Sequence, residues 1–186
     1  TNAITILSCS GDVAVSGPFK GGNADASPPG GRGGDGIYVG DCLKSVTIKG
    51  DYQGGSGTAS GNGGVGCRIV YSSNVVLQAQ CFGGTGGLGD GSNVIDQLKV
   101  ASFEPFSSLN ITRYPLTSGP NGGNGGTGLV SDSNSNLKFK GLAVAGNGGH
   151  GGYGRRTGTG GDGGFGIDAS NSIDVHVESL MIGGQG

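Results

Sequence analysis

Cys9 and Cys42 each stand four residues ahead of a valine that opens an alternating run, Val13 and Val46. If these runs are copies of one repeat that stacks on itself, the two cysteines lie about one strand spacing apart, inside the roughly 4.4–6.8 Å Cα range of a disulfide. The spacing therefore predicts a Cys9–Cys42 staple between neighbouring coils and leaves Cys67 and Cys81 to pair by default. Four buried thiols are the alternative, because free Cys behaves as a small hydrophobe. A zinc site is not expected: no CxxC occurs, and His150 and His176 stand in different contexts. Cysteines outside any metal-like spacing point to an oxidising compartment.

The carboxylates offer less. Glycoside hydrolysis needs two of them held several ångströms apart across a cleft. Asp162, Asp168 and Asp174 recur every six residues, but Asp162 falls in a Gly tract and the other two alternate with apolar residues, as a solvated strand face would. Glu104 and Glu178 are isolated. The string GGRGGDGIY (30–38) is similar to the calcium nonapeptide of RTX repeats, in which the metal sits between consecutive copies. The other tracts lack the Asp, so no calcium is expected. GxGxxG matches carry no weight because none opens a helix, and neither a Walker sequence nor GxSxG occurs. No catalytic, cofactor-binding or metal-binding residue is assigned. Asn110-Ile111-Thr112 is an N-glycosylation acceptor tripeptide.

Three segments superpose without a gap: VAVSGPFKGG (13–22), VTIKGDYQGG (46–55) and VVLQAQCFGG (75–84). Looser copies are LKFKGLAVAGNGG (137–149) and IDVHVESLMIGG (173–184). Such self-similarity signals stacked repeats, because one short strand cannot bury its apolar face alone. Each coil reads as Gly tract, short strand, polar corner, longer strand, Gly tract. The corner residues are Asp12, Ser45, Asn74, Asn136 and Ser172, types that tolerate tight turns. The expected fold is all-β without significant helix: one parallel β-solenoid over 1–186, of about six coils, with an irregular coil or loop near 93–120. Overlay places Val15, Ile48 and Leu77 at one inward site and Phe19, Tyr52 and Cys81 at another.

Glycine supplies 46 of 186 residues, in tracts such as GPNGGNGGTG (119–128) and GNGGHGGYG (146–154). Clustering between β-branched segments argues against disorder, and the lack of a sustained Gly-X-Y register excludes collagen. The tracts are expected to pack on one another in polyglycine-II-like form, since missing Cβ atoms permit close backbone approach. Flexible loops are the other reading, but six similar loops would each carry an ordering cost with no return. Segment 101–120 breaks the pattern with Phe103, Phe106 and Tyr114. It reads as an irregular coil whose aromatics fill the core, or as an inserted binding loop.

A net charge of −2, from 11 basic and 13 acidic residues, leaves no electrostatic footprint for nucleic acid or an anionic membrane. No apolar run reaches membrane-helix length. A chain starting at Thr1 fits a processed, exported protein, and an excised fragment equally well.

The repeats GGVGCRIVYSSNVVLQAQ (63–80) and GGFGIDASNSIDVHVES (163–179) resemble Gly-rich right-handed parallel β-helices of bacterial surface adhesins and autotransporter passengers. The GGxGG tracts are similar to polyglycine-II elements of some phage fibre-tip adhesins. The resemblance implies extracellular, fibrous or adhesive work and transfers no functional residue.

Apolar strands without helical or charged caps stand at both ends, at Ile4 and Ile6 and at Val175, Val177, Leu180 and Ile182. Such edges pair with further strand. The reading is an extracellular structural subunit, not an enzyme, whose partners are copies of itself stacked head to tail. A Pro at Ile6 is expected to remove one edge donor. The alternatives are a surface or phage fibre adhesin segment binding a cell-surface glycan or protein and, least favoured, a carbohydrate-active β-helix enzyme.

Overall fold

The structure, a computed structural model, describes residues 1–25, 30–89, 119–152 and 157–186. Period-two alternation of β-branched residues, bounded by glycine, dictates strands. Eleven are present among the described residues: β1 (Ile4–Leu7), β2 (Val13–Ser16), β3 (Phe19–Lys20), β4 (Ile37–Gly40), β5 (Val46–Gln53), β6 (Cys67–Val70), β7 (Ser73–Phe82), β8 (Leu129–Asp132), β9 (Ser135–Val144), β10 (Ile167–Ser170) and β11 (Ile173–Ile182). There is no helix among the described residues. The short strands form one parallel sheet in the order β1-β4-β6-β8-β10. The longer ones form a second, β2-β5-β7-β9-β11, in which β3 also pairs with β5. The described residues thus visit the first sheet, then the second, and repeat this in five passes.

In-register pairing turns sequence alternation into columns. Val13, Val46, Val75, Leu137 and Val175 form one, and Val15, Ile48, Leu77, Phe139 and Val177 the next. Phe19, Tyr52, Cys81, Ala143 and Met181 form a third. The first sheet contributes Ile4-Ile37-Cys67-Leu129-Ile167 and Ile6-Val39-Ile69-Ser131-Ala169. Members from the second to the fourth pass are buried, and first-pass members are half-buried. Each buried Val, Ile or Leu side chain contributes about 1.5–3 kcal/mol. Phe19 stacks on Tyr52 with ring centroids 5.8 Å apart. Both expected inward columns are therefore observed.

The repeat length is uneven. Equivalent residues are 33 and 30 apart over the first two steps, then 62 and 38. Since β6 pairs directly with β8 and β7 with β9, the third and fourth passes are adjacent in both sheets. The irregular coil or loop expected near 93–120 lies, up to residue 118, outside the described residues, as do Phe103, Phe106 and Tyr114. One register expectation is corrected. Val175, not Ile173, aligns with Leu137, so Asp174 takes the corner place of Asn74 and Asn136. All three share left-handed φ of 53–54°. Ile173 pairs instead with Ser135 and is exposed.

The glycine tracts are bonded to one another. Gly34 N–H donates to Gly22 O, Gly55 to Gly34, Gly64 to Gly55, Gly84 to Gly64, Gly126 to Gly84, Gly146 to Gly126, Gly164 to Gly146 and Gly184 to Gly164. This line alternates between tracts that precede the first sheet and tracts that follow the second. Three residues along each tract runs a parallel line: Gly61, Gly87, Gly123, Gly149 and Gly161. Within the tracts, every residue of the intervening Gly33, Gly63 and Gly125 kind donates to the next pass of its own column, at Asn62, Asn124 and Asp162 respectively. The third kind of position carries a side chain: Arg32, Asn62, Asn124 and Asp162 are exposed, whereas Asp35 and Val65 are buried. There Asn62 Oδ1 accepts from Asn124 N–H, and Asn124 Oδ1 from Asp162 N–H, both at 3.0 Å. A Cβ at Gly126 would overlap the Gly64 carbonyl oxygen. The GGx triplet is thus a three-residue rule in which two places leave almost no room for a Cβ, with Thr58 and Ala145 among the exceptions.

Candidate functional site: the corner ladder and the open edges

Where each pass leaves the first sheet, one residue adopts left-handed backbone: Ser8, Asp41, Tyr71, Ser133 and Asn171, with φ between 48 and 55°. Ser, Asp and Asn tolerate that region, and Tyr71 must be held there by its neighbours. The next residue in each pass turns inward, giving the column Cys9, Cys42, Ser72, Asn134, Ser172. Its first step is covalent, the Cys9–Cys42 disulfide, with Cα atoms 4.5 Å apart. The later steps are hydrogen bonds. Cys42 N–H donates to Ser72 Oγ at 3.3 Å, Ser72 N–H to Asn134 Oδ1 at 2.8 Å, and Asn134 N–H to Ser172 Oγ at 3.2 Å. The second disulfide, Cys67–Cys81, has a different task. It ties β6 to β7, bridging the two sheets within the third pass, with Cα atoms 5.5 Å apart. Both expected pairings are present, and two disulfides fit an oxidising compartment.

Asp35, of the string GGRGGDGIY, is 2% exposed. Its Oδ1 accepts from Arg32 at 2.8 Å and from Val65 N–H at 2.9 Å, and its Oδ2 accepts from Arg68 Nε at 2.7 Å. The carboxylate holds two arginines and a backbone amide, which joins the second pass to the third. Among the described residues no group of His, Cys, Asp and Glu has metal-binding geometry. Sequence reading missed this clamp because the Asp hides in a glycine tract, and it missed Ser72 and Asn134 because they read as ordinary turn residues.

The two outer edges are unlike. On the first pass, Ile4, Ile6, Val13, Val15 and Phe19 are half-buried against the core, while Leu7 is 55% exposed. Ile4 N–H donates to Gly36 O and Ser8 N–H to Gly40 O. Alternate residues of a parallel strand face the same neighbour, so Ile6 N–H also points inward to β4, and Thr5 and Leu7 face off the edge. The expectation that Ile6 supplies an edge donor is corrected on that ground. On the last pass Val175 and Val177 are half-buried, while Ile173, Leu180, Met181 and Ile182 are exposed, with Phe165 the most so at 68%. Leu180 and Ile182 pair with Leu142 and Val144 on the outer face; Met181 continues the column of buried Ala143.

On that outer face His176 Nε2 lies 2.9 Å from Glu178 Oε1, and Lys140 Nζ is 3.9 Å from Glu178 Oε2. The His176 hydrogen bond, then the Lys140 charge, hold the Glu178 carboxyl below its ordinary range. These groups are exposed, so screening by water keeps the cluster weak. Asp162, Asp168 and Asp174 are all exposed and converge on nothing. Asn110 and Glu104 lie outside the described residues. Among those residues no helix is long and apolar enough to cross a membrane. No protein-family model, no curated protein and no solved structure matches this chain.

Proposed function

We propose that the chain is an extracellular structural subunit: one parallel β-solenoid, walled on one side by polyglycine-II-like tracts, that stacks head to tail with copies of itself. The observation that carries this reading is the chemistry of the last pass. Exposed Met181 and half-buried Ile167, Val175 and Val177 end its columns there, beside exposed Phe165, Ile173, Leu180 and Ile182, while the first pass offers half-buried Phe19, Ile4, Val13 and Val15 at the other end of the same four columns. Unpaired strand edges backed by apolar columns recruit further strand. A copy added in register would set Val175 on Val13, Val177 on Val15 and Met181 on Phe19. The last is a sulfur–aromatic contact of the kind that stabilises cores. Contact between two different surfaces that does not close on itself yields an open filament.

Negative-stain microscopy and sedimentation across a concentration series test the proposal. Unbranched filaments, with a subunit step of five strand spacings, are expected. A chain that stays monomeric at high concentration overturns it. The adhesin reading then takes its place, examined by binding of the monomer to cell-surface glycans and proteins.

A further inference from the structure

We infer that Cys9–Cys42 is a redox gate on the first-pass edge, opened by a dithiol reductant while Cys67–Cys81 stays closed; its effect on assembly rests on the head-to-tail reading. Three observations meet here. First, the first pass is the weakest-held rung. β2 has four residues and β3 two, against ten for β7, β9 and β11, and among the described residues the pass pairs with one neighbouring pass. Its apolar side chains are only half-buried. Second, Cys9–Cys42 is a covalent link between this pass and the next, whereas Cys67–Cys81 lies within one pass. Third, the two bridges differ in access. Cys9 is partly exposed, whereas Cys42, Cys67 and Cys81 are all 0% exposed.

Exchange therefore has one open entry. A reductant thiolate attacks Cys9 Sγ, forming a mixed disulfide there as Cys42 leaves as a thiolate and takes a proton. The second thiol of the reductant then displaces Cys9, so two electrons and two protons pass to the protein and the dithiol ends as its cyclic disulfide. Freed of the staple, the first pass is held to the second only by non-covalent contacts, among them the backbone bonds from Ala3, Ile4, Ser8, Val13 and Gly17, the Asn2, Asp12 and Asn23 side-chain acceptors, and the Phe19–Tyr52 stack. The first pass frays, and the edge that must receive the next subunit loses its register. In a stacked fibre the last pass of the neighbour covers Cys9, so reduction acts on free subunits.

The test titrates the oxidised protein with dithiothreitol and combines thiol mapping by alkylation, amide hydrogen exchange and sedimentation. Cys9 and Cys42 should be alkylated before Cys67 and Cys81. First-pass amides should then exchange roughly a hundredfold faster, as release of a loop of this size implies, with the amides of β7 and β9 unchanged. Assembly should fail at the same reductant concentration. The double variant Cys9→Ser, Cys42→Ser should reproduce this state without reductant. Loss of Cys67–Cys81 first, or first-pass exchange that ignores reduction, overturns the gate. If the oxidised protein never assembles, the fibre reading fails alone, because alkylation order and exchange still decide the gate on the monomer.

Discussion

The backbone N–H of Ser72 donates to Oδ1 of Asn134 at 2.8 Å, across 62 residues of chain. Asn134 is 2% exposed, and its Nδ2 donates to Ile69 O at 2.8 Å and to Ser131 Oγ at 2.9 Å. One buried amide thus satisfies a backbone donor of the third pass and a backbone acceptor of the same pass. Asn134→Ala leaves both unpaired and should cost about 2–3 kcal/mol in denaturant unfolding. Asn134→Ser, which copies the residue of the flanking passes, returns an acceptor and should cost about 1 kcal/mol. Equal losses for the two variants would show that the amide fills space and does not bridge passes.

The three-residue rule of the glycine tracts predicts a contrast between neighbours. Gly126→Ala drives a methyl group into the Gly64 carbonyl, so the tract must separate. A loss of at least ~3 kcal/mol is expected, in the range of severe overpacking. Asn124→Ala, two residues away, removes only an exposed cap on Asp162 N–H and should cost about 0.5–1 kcal/mol. Thermal unfolding of the pair distinguishes bonded tracts from loose loops, for which both changes would be small.

Asp35 should be intolerant of neutralisation. Asp35→Asn keeps the shape but leaves Arg68, whose side chain is 24% exposed, beside an amide that cannot accept twice as a carboxylate does. Breaking a buried pair from one side costs about 3–5 kcal/mol, and the half-exposed Arg32 lowers that toward about 2. Chemical denaturation reads the loss. Full stability in Asp35→Asn would mean that the backbone contacts alone hold the second and third passes.

The columns were legible because a period of two, anchored by paired glycines, fixes which face of each strand is apolar. Val15-Ile48-Leu77 and Phe19-Tyr52-Cys81 follow from that alone. The same rule slipped by two residues in the last pass, where Ile173 looks like the first inward residue. Its true marker is backbone conformation: Asp174 shares left-handed geometry with Asn74 and Asn136, and nothing in apolar periodicity encodes that. The Cys9–Cys42 disulfide was legible from equal offsets, and Cys67–Cys81 only as the pair that remained. Asn134 and Asp35 were not, because a polar residue buried by its partners is spelled like a polar residue in water, and only the partners tell them apart.

Burial raises the Tyr52 phenol above its ordinary value of 10.0. Its hydroxyl donates to Lys49 O at 3.1 Å. The neutral phenol is favoured in the folded chain, so this contribution is fully present below about pH 10 and is lost as pH rises through the raised value. Stability should therefore fall more steeply at alkaline pH than in Tyr52→Phe. At neutral pH that variant loses only the hydroxyl bond, about 1 kcal/mol. Identical alkaline slopes would show that Tyr52 titrates as freely as an exposed tyrosine.

Proline placement separates the edge from the interior of the first strand. Thr5 N–H points off the edge, and Ile6 N–H points to β4, as the bonds from Ile4 to Gly36 and from Ser8 to Gly40 require. Thr5→Pro removes a donor that the subunit does not use, and edge strands tolerate Pro at such places. It should leave monomer stability within about 1 kcal/mol and abolish filaments, because the last pass of the neighbour loses a backbone partner. Ile6→Pro removes an internal bond and should destabilise the first pass in the monomer itself. On the opposite edge, Val177→Lys places a charge where Val15 of the next copy would sit and should block assembly without unfolding the half-buried last pass. Mixing gives the final discrimination. Thr5→Pro keeps an intact last pass and should cap growing wild-type filaments, shortening them in proportion to its share, as Val177→Lys should from the other end. Filaments of unchanged length in both mixtures would mean that the subunits do not meet through these edges.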